Sequence, residues 1–354
     1  MLKTGIVGLP NAGKSTLFNA LVEKGKAQTG KHPFTTIDKN MGVVPVPDSA
    51  LVDLAKMAEI KKITQTTIGF VDIAGLVKNA HQGEGLGNQF LAHIREVDLI
   101  LHVVRFFSDE TVPHIHTKID PQEDVAIVET ELLLSDIASL KKQLEKLKKD
   151  KKTKEDEQLE TLGQKILPPL NSGKMAKDIP LSKEEKELTK LFNLLTLKPV
   201  VYITNVDEKD LKNPEKLISD KPTLSLCAKF EEELALLPWT EQRQFLKTYE
   251  LSRSAIESVI DRCYHALDIV TFYTIAGGKE ARAWTIKKGT STLEAAGKIH
   301  SDFAKHFIKA EIIPVNLLLS LGSWPKAQQL GKIALVGRDH IVADKDVIQF
   351  KIGA

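Results

Sequence analysis

Eight residues near the start of the chain, Gly8-Leu9-Pro10-Asn11-Ala12-Gly13-Lys14-Ser15, carry the spacing G-x-x-x-x-G-K-S, which is that of a phosphate-binding loop. Two glycines let a backbone curl tightly enough for its N–H groups to converge on phosphate oxygens. Lys14 is expected to reach the β- and γ-phosphates, and the Ser15 hydroxyl to hold Mg²⁺. After Asn11, Ala12, Gly13, Lys14 and Ser15 of the loop, Thr16 to Leu21 read as the start of a helix, and the positive end of a helix dipole adds to the attraction for an anion.

Four further groups have types and positions suited to the same chemistry. Thr36, or its neighbour Thr35, follows the first helix and is the candidate second hydroxyl on Mg²⁺. Asp72 ends an apolar run and is followed by Gly75, a D-x-x-G pattern. There the carboxylate holds Mg²⁺ through water, and the glycine N–H faces the γ-phosphate. Leu76 comes next, where a water-positioning glutamine stands in small GTPases. Leucine makes no hydrogen bond, so another group must place the attacking water. His114 lies in a later loop; imidazole is a general base or a polarising donor, and the residues alone leave it equally a solvent-exposed loop histidine.

Base recognition is expected at Asn205-Val206-Asp207-Glu208, directly after an apolar strand. GTPases carry N-K-x-D at this place, with the aspartate accepting both N–H groups of the guanine edge. Val206 replaces the lysine and Glu208 the aspartate. The extra methylene displaces the carboxylate, which points to loss of guanine selectivity and to adenine; Asp207, one position early, is the alternative acceptor. Cys227 and Ala228 end the next strand, where a backbone contact to the base is expected.

The elements that must position these groups are legible in outline. Lys3–Val7, Ile68–Ile73, Asp98–Val104 and Val200–Thr204 read as buried strands. Between the third and fourth the period becomes helical. Val125, Val128, Leu132, Ile137, Leu140, Leu144 and Leu147 form one apolar stripe, and Leu159, Leu162, Ile166 and Leu170 another. A lysine-dense stretch separates them, so an antiparallel helical hairpin is expected, the stripes being its own seam. From about Asp268 short strands and turns suggest a small mixed β/α domain. The fold class is therefore α/β.

Composition narrows the setting. The chain has 354 residues and a net charge of +2, so no global basic field argues for nucleic acid. Cys227 and Cys263 are its two cysteines, too far apart for a zinc motif and too few for a disulfide framework. No apolar run reaches membrane-spanning length. A signal peptide is not expected, because the phosphate loop occupies the first residues.

Several stretches together resemble one family, the YchF subfamily of Obg-like P-loop ATPases. They are 5–16, 33–36, 70–77, 83–90, 95–98, 197–199, 283–286 and 299–303, and the likeness runs almost end to end. The resemblance implies a TRAFAC-type G domain over 1–268, interrupted by a coiled-coil-like helical insertion at 126–198, then a TGS domain of β-grasp shape over 269–354. It implies a P-loop NTPase that hydrolyses ATP in preference to GTP with Mg²⁺, through an N-x-x-E motif matched by Asn205 and Glu208. It implies a catalytic role for the loop histidine, matched by His114. It also implies a ribosome-associated switch in translation or stress response; the cysteine usage suits a cytoplasmic setting, and a monomer is expected. Partners would be ATP, the large subunit or the whole ribosome, and RNA through the TGS domain and hairpin, with no membrane. The alternatives are a conventional Obg-type GTPase and a nucleotide-gated ribosome- or RNA-binding module with negligible turnover.

Overall fold

The computed structural model describes residues 1–29, 36–38, 40–73, 86–114, 119–149, 153–211, 221–276 and 278–353, of which 26–29, 36–38, 86–89, 239 and 276 are described by backbone alone. Thirteen strands are present among them. These are β1 (Leu2–Val7), β2 (Thr36–Asp38), β3 (Met41–Pro45), β4 (Lys62–Thr64), β5 (Thr67–Asp72), β6 (Leu99–Arg105) and β7 (Val200–Asn205). They continue as β8 (Thr223–Leu226), β9 (Ile269–Ala276), β10 (Glu280–Lys287), β11 (Phe307–Pro314), β12 (Ala334–Val336) and β13 (Asp346–Ile352). The helices that concern the site are α1 (Lys14–Thr29), α2 (Ser49–Met57), α3 (Leu86–Arg95), α4 (Pro121–Lys149) and α5 (Lys154–Asn171). They continue with α6 (Lys183–Thr189), α7 (Ala228–Leu236), α8 (Trp239–Thr248), α9 (Ala255–Ala266) and α10 (Thr292–Ile299).

The chain forms two compact units, Met1–Val44 with Ile68–Ala266, and Pro45–Thr67 with Leu267–Ala354. The first is built on a seven-stranded sheet in the order β2-β3-β5-β1-β6-β7-β8. From β5 through β8 the neighbours run parallel, and β2 with β3 antiparallel. Every residue of β6 is buried, as befits a strand covered on both faces. Because β1 lies between β5 and β6, the chain order reverses at its end. The loop leaving β1 therefore opens into a crevice at the carboxyl ends of the strands, where open α/β sheets bind ligands.

The hairpin is α4 and α5, with α5 opened by a Thr153–Asp156 capping box. Its seam holds Leu140 and Leu144 against Leu162, Ile166 and Leu170. The early part of the α4 stripe does something else. Val128 and Leu132 pack into the core of the sheet with Val7, Leu9 and Ile73. One periodic stripe thus serves two partners, which period alone does not distinguish. A buried carboxylate fastens the hairpin's return: Asp136 accepts from the backbone N–H of Leu195 and Thr196 at 2.7 and 2.8 Å, and from the Thr196 hydroxyl at 2.7 Å.

The second unit has a six-stranded mixed sheet, β12-β11-β13-β9-β10-β4. Alternation along β9 sends Tyr273 to a core with Leu51, Leu54 and Ala55 of α2. It sends Phe272 to a core with Ala295 and Ala296 of α10. Residues 45–67, which the sequence reading counts with the nucleotide-binding part, belong here. Their β4 pairs with β10, and Thr64 donates to Glu280 at 2.6 Å. The partner lies over two hundred residues away, and a local pattern carries no trace of it.

Candidate functional site

The phosphate loop begins where β1 is pressed against β6. A Cβ at Gly8, whose φ is +156°, would stand 2.3 Å from the Val103 carbonyl, so only glycine fits this approach. Leu9 is buried and anchors the loop in the sheet's core. Asn11 takes the left-handed conformation at φ 62°, and Gly13 has φ 92°. The loop then enters α1, leaving the first N–H groups of that helix without intrahelical partners.

Lys14 and Ser15 start the helix. The Lys14 ammonium is buried and donates to the Leu9 carbonyl at 2.8 Å, spanning the loop it belongs to. Burial lowers its pKa, and the nearby Asp72 carboxylate opposes the shift. The Ser15 hydroxyl donates to Asp72 Oδ2 at 2.7 Å. Two hard oxygen donors are thus side by side, one from the loop and one from the end of β5. Among the described residues no group of three or more His, Cys, Asp or Glu side chains could hold a metal. A hydroxyl–carboxylate pair suits Mg²⁺, which keeps waters and phosphate oxygens in its shell and needs no protein cage. Thr16 follows within α1. Thr36 begins β2, opposite Gly42, and its side chain lies outside the description. Thr35, Gly75 and Leu76 also lie outside the described residues.

At the far end of the crevice the structure gives Asn205 a bridging task. Its side chain is buried, donates to the Ala12 carbonyl at 3.0 Å, and accepts from the Ala228 N–H at 2.9 Å. One amide therefore ties the phosphate loop to the β8–α7 loop. Gly13 is a consequence: a Cβ there would lie 2.2 Å from Asn205 Nδ2. Val206 is buried, and its N–H donates to the Leu226 carbonyl at 2.8 Å. Cys227 is buried at the N-cap of α7, its thiol pKa raised by burial. Glu208 is exposed in the 3-10 turn Glu208–Asp210. Asp207 is otherwise engaged, accepting from the Ser108 N–H at 3.2 Å with Lys209 at 3.8 Å.

His114 is not a free loop side chain. Its ring is 7 % exposed, and Nε2 lies 3.1 Å from Asp124 Oδ2 at the start of α4. The preceding carbonyl, Pro113, accepts from Asn11 Nδ2 at 3.0 Å and from Arg105 Nη1 at 3.4 Å. Arg105 is fully buried and also donates to the carbonyls of Phe107 and Asp109. The histidine loop is thereby held against the phosphate loop. Sequence reasoning missed Arg105 and Asp124. An acidic residue in the first turn of a helix reads as a dipole partner, and nothing in its spacing points back to a histidine.

A glycine loop between a buried strand and a helix, a Ser15–Asp72 pair at its mouth and an asparagine brace to a second loop, on this sheet order, define a P-loop nucleotide-binding domain of the G-domain type. Comparison with known proteins agrees and goes further. The model MMR_HSR1, described as a 50S ribosome-binding GTPase, matches residues 3–164. The model YchF-GTPase_C, described as a protein of unknown function, matches residues 269–353. A Bacillus subtilis protein named ribosome-binding ATPase YchF is 41 % identical over 99 % of both chains. Its Haemophilus influenzae namesake is 43 % identical over 99 % of this chain and 98 % of its own. The solved structure of the Schizosaccharomyces pombe YchF GTPase superposes with a TM-score of 0.87 at 32 % identity, covering 99 % of this chain and 97 % of that one. This chain belongs to the YchF family.

Proposed function

We propose that this protein is a Mg²⁺-dependent ATPase that acts as a ribosome-associated nucleotide switch. The observation that carries the hydrolase reading is the joint placement of Lys14, Ser15 and Asp72 at the mouth of a glycine loop. The names of the bacterial relatives support ATP and the ribosome, although the fission-yeast relative is called a GTPase. Preference for ATP therefore rests on this chain's own residues. Glu208 stands where guanine binders have aspartate, and Asp207 is turned to Ser108.

In this reading the amides of Asn11, Ala12, Gly13 and Thr16 and the Lys14 ammonium take the phosphates. Ser15 and Thr36 would hold Mg²⁺, with Asp72 supporting it through water, and a bound ion would supply charge neutralisation during phosphoryl transfer. Gly75 turns its N–H to the γ-phosphate. Asn205 braces the two loops, while Val206, Cys227 and Ala228 form the base site and Glu208 selects the base. His114, held by Asp124, polarises or places the attacking water. Charge stabilisation by fixed groups supplies most of the acceleration. ATP binding then alters how the hairpin and a TGS domain over 269–354 meet a ribosome in the cytoplasm, with RNA contacted through both and the protein acting as a monomer.

Titration with ATP and GTP in Mg²⁺, followed by phosphate release, tests this for wild type and Lys14→Ala. Tighter ATP binding with turnover, both lost in the variant, is the expected result. Tighter GTP binding overturns it in favour of a conventional Obg-type GTPase. ATP binding without turnover leaves a nucleotide-gated binding module, a reading that Leu76 at the glutamine position favours.

A further inference from the structure

Glu208 does not meet the base site alone. Tyr249, the residue that ends α8, donates its phenol hydroxyl to Glu208 Oε1. The two are separated by 41 residues in sequence. The ring that carries this hydroxyl is fixed by packing. Its centroid lies 4.7 Å from Phe230, edge to face, and 5.3 Å from Phe245. Phe230 belongs to α7, the helix whose first N–H, that of Ala228, donates to Asn205. The support of Glu208 and the bracing of the phosphate loop thus share one helix. A cavity of about 530 Å³ adjoins Glu208, Lys209, Thr248 and Tyr249.

The chemistry of the two purines decides what this hydrogen bond does. Guanine presents two adjacent N–H donors, which a carboxylate meets best with both of its oxygens. Adenine presents one amino donor beside an acceptor nitrogen. Among the described residues Glu208 Oε2 accepts no hydrogen bond, whereas Oε1 is taken by the phenol. A carboxylate held in this way offers one free oxygen and one already engaged, which matches a single amino group and leaves the second guanine donor only the shared, weaker acceptor. A donor that must share an acceptor oxygen already engaged by the phenol is bound less well than one that meets a free oxygen, and that difference is the source of the discrimination.

We propose that Tyr249 is a specificity-determining positioning residue, whose hydroxyl occupies one oxygen of Glu208 and so selects against guanine. This deepens the adenine reading above and rests on it. The hydrogen bond to Glu208 raises the pKa of the phenol, so the hydroxyl remains the donor at neutral pH.

The test is the ratio of ATP to GTP dissociation constants, measured by titration in Mg²⁺ for wild type, Tyr249→Phe, Glu208→Ala and the double variant. Tyr249→Phe keeps the ring, so its packing against Phe230 and Phe245 persists, and an unchanged urea midpoint verifies the fold. The expected result is a preference for ATP in wild type that falls about tenfold in Tyr249→Phe, the factor that accompanies one directed hydrogen bond. In the Glu208→Ala background the same change should leave the ratio where it is. A role in packing alone would weaken both nucleotides equally. A wild-type preference that survives in Tyr249→Phe overturns the proposal and spares the adenine reading. A wild type that binds GTP at least as tightly as ATP overturns both.

Discussion

Replacing Gly13 by alanine tests the central geometry of the site. Two effects add. The first is backbone: Gly13 has φ +92°, and an L-residue held on that side of the map is strained by about 1–2 kcal/mol. The second is a collision, because the new methyl would stand 2.2 Å from Asn205 Nδ2. That amide has little freedom to retreat, being held at 3.0 Å to Ala12 and 2.9 Å to Ala228. Moving it forfeits two buried hydrogen bonds worth about 1 kcal/mol each. Gly13→Ala should therefore destabilise the domain by about 3–4 kcal/mol, read as a shift in the urea midpoint. Gly173 supplies the control: its φ is +90°, and a Cβ there meets nothing within 4 Å. Gly173→Ala should show the strain alone, about 1–2 kcal/mol. The decisive measurement is a double-mutant cycle with Asn205→Ala. With the amide gone the collision disappears, so the cost of Gly13→Ala should fall by about 2 kcal/mol. Equal costs in both backgrounds would refute the account of Asn205 as the brace that dictates glycine.

Two further outcomes follow from the same geometry. Ser15→Ala should weaken the Mg²⁺-dependent part of ATP affinity by about tenfold or more. Titration with and without the ion should show a smaller difference in the variant than in wild type. The second concerns pH. His102 is buried in β6, and its pKa is pushed down from 6.5 to about 4, chiefly by burial, with Lys221 and Lys14 adding to the shift and Glu129 opposing it. As pH falls below 6.5 the unfolded chain takes the proton first. The stability that the neutral ring contributes is therefore complete above pH 6.5 and is lost as pH falls toward 4. Between pH 7 and 5 the loss from this group should be about 2 kcal/mol. His102→Gln should flatten that part of the profile, and a profile with the same slope in the variant would assign the acid sensitivity to other groups.

What could be read from the sequence was whatever the chemistry confines to a short span. The phosphate loop is such a case, since eight consecutive residues must curl around one anion. So is the pairing of Asp72 with the end of a buried strand, and the position of Asn205 and Glu208 after another. What could not be read depends on partners distant in the chain. Asn205 was legible as a polar residue at the end of a buried strand, yet its hydrogen bonds to Ala12 and Ala228 span 193 and 23 residues. Tyr249 and Asp124 carry no spacing signal, because each meets its partner through tertiary packing. Residues 45–67 look like an ordinary continuation of the first domain until β4 is seen paired with β10.

The bridging role of Asn205 changes how the site divides its labour. Were it simply a base contact, specificity and phosphate binding would be separable, one at each end of the crevice. Instead one buried amide holds the Ala12 carbonyl of the phosphate loop and the Ala228 N–H of the β8–α7 loop. Asn11 of that same phosphate loop donates to Pro113, beside the histidine that Asp124 holds. The β8–α7 loop, phosphate loop and histidine loop are thus joined in series through side-chain hydrogen bonds to backbone. The hydrogen bond between Tyr249 and Glu208 touches no atom of the phosphate loop, and the pair meets this series through the packing of Tyr249 on Phe230 of α7. On the reading proposed above, Tyr249→Phe should alter selectivity with the phosphate loop intact, whereas a change at Asn205 should disturb both loops at once.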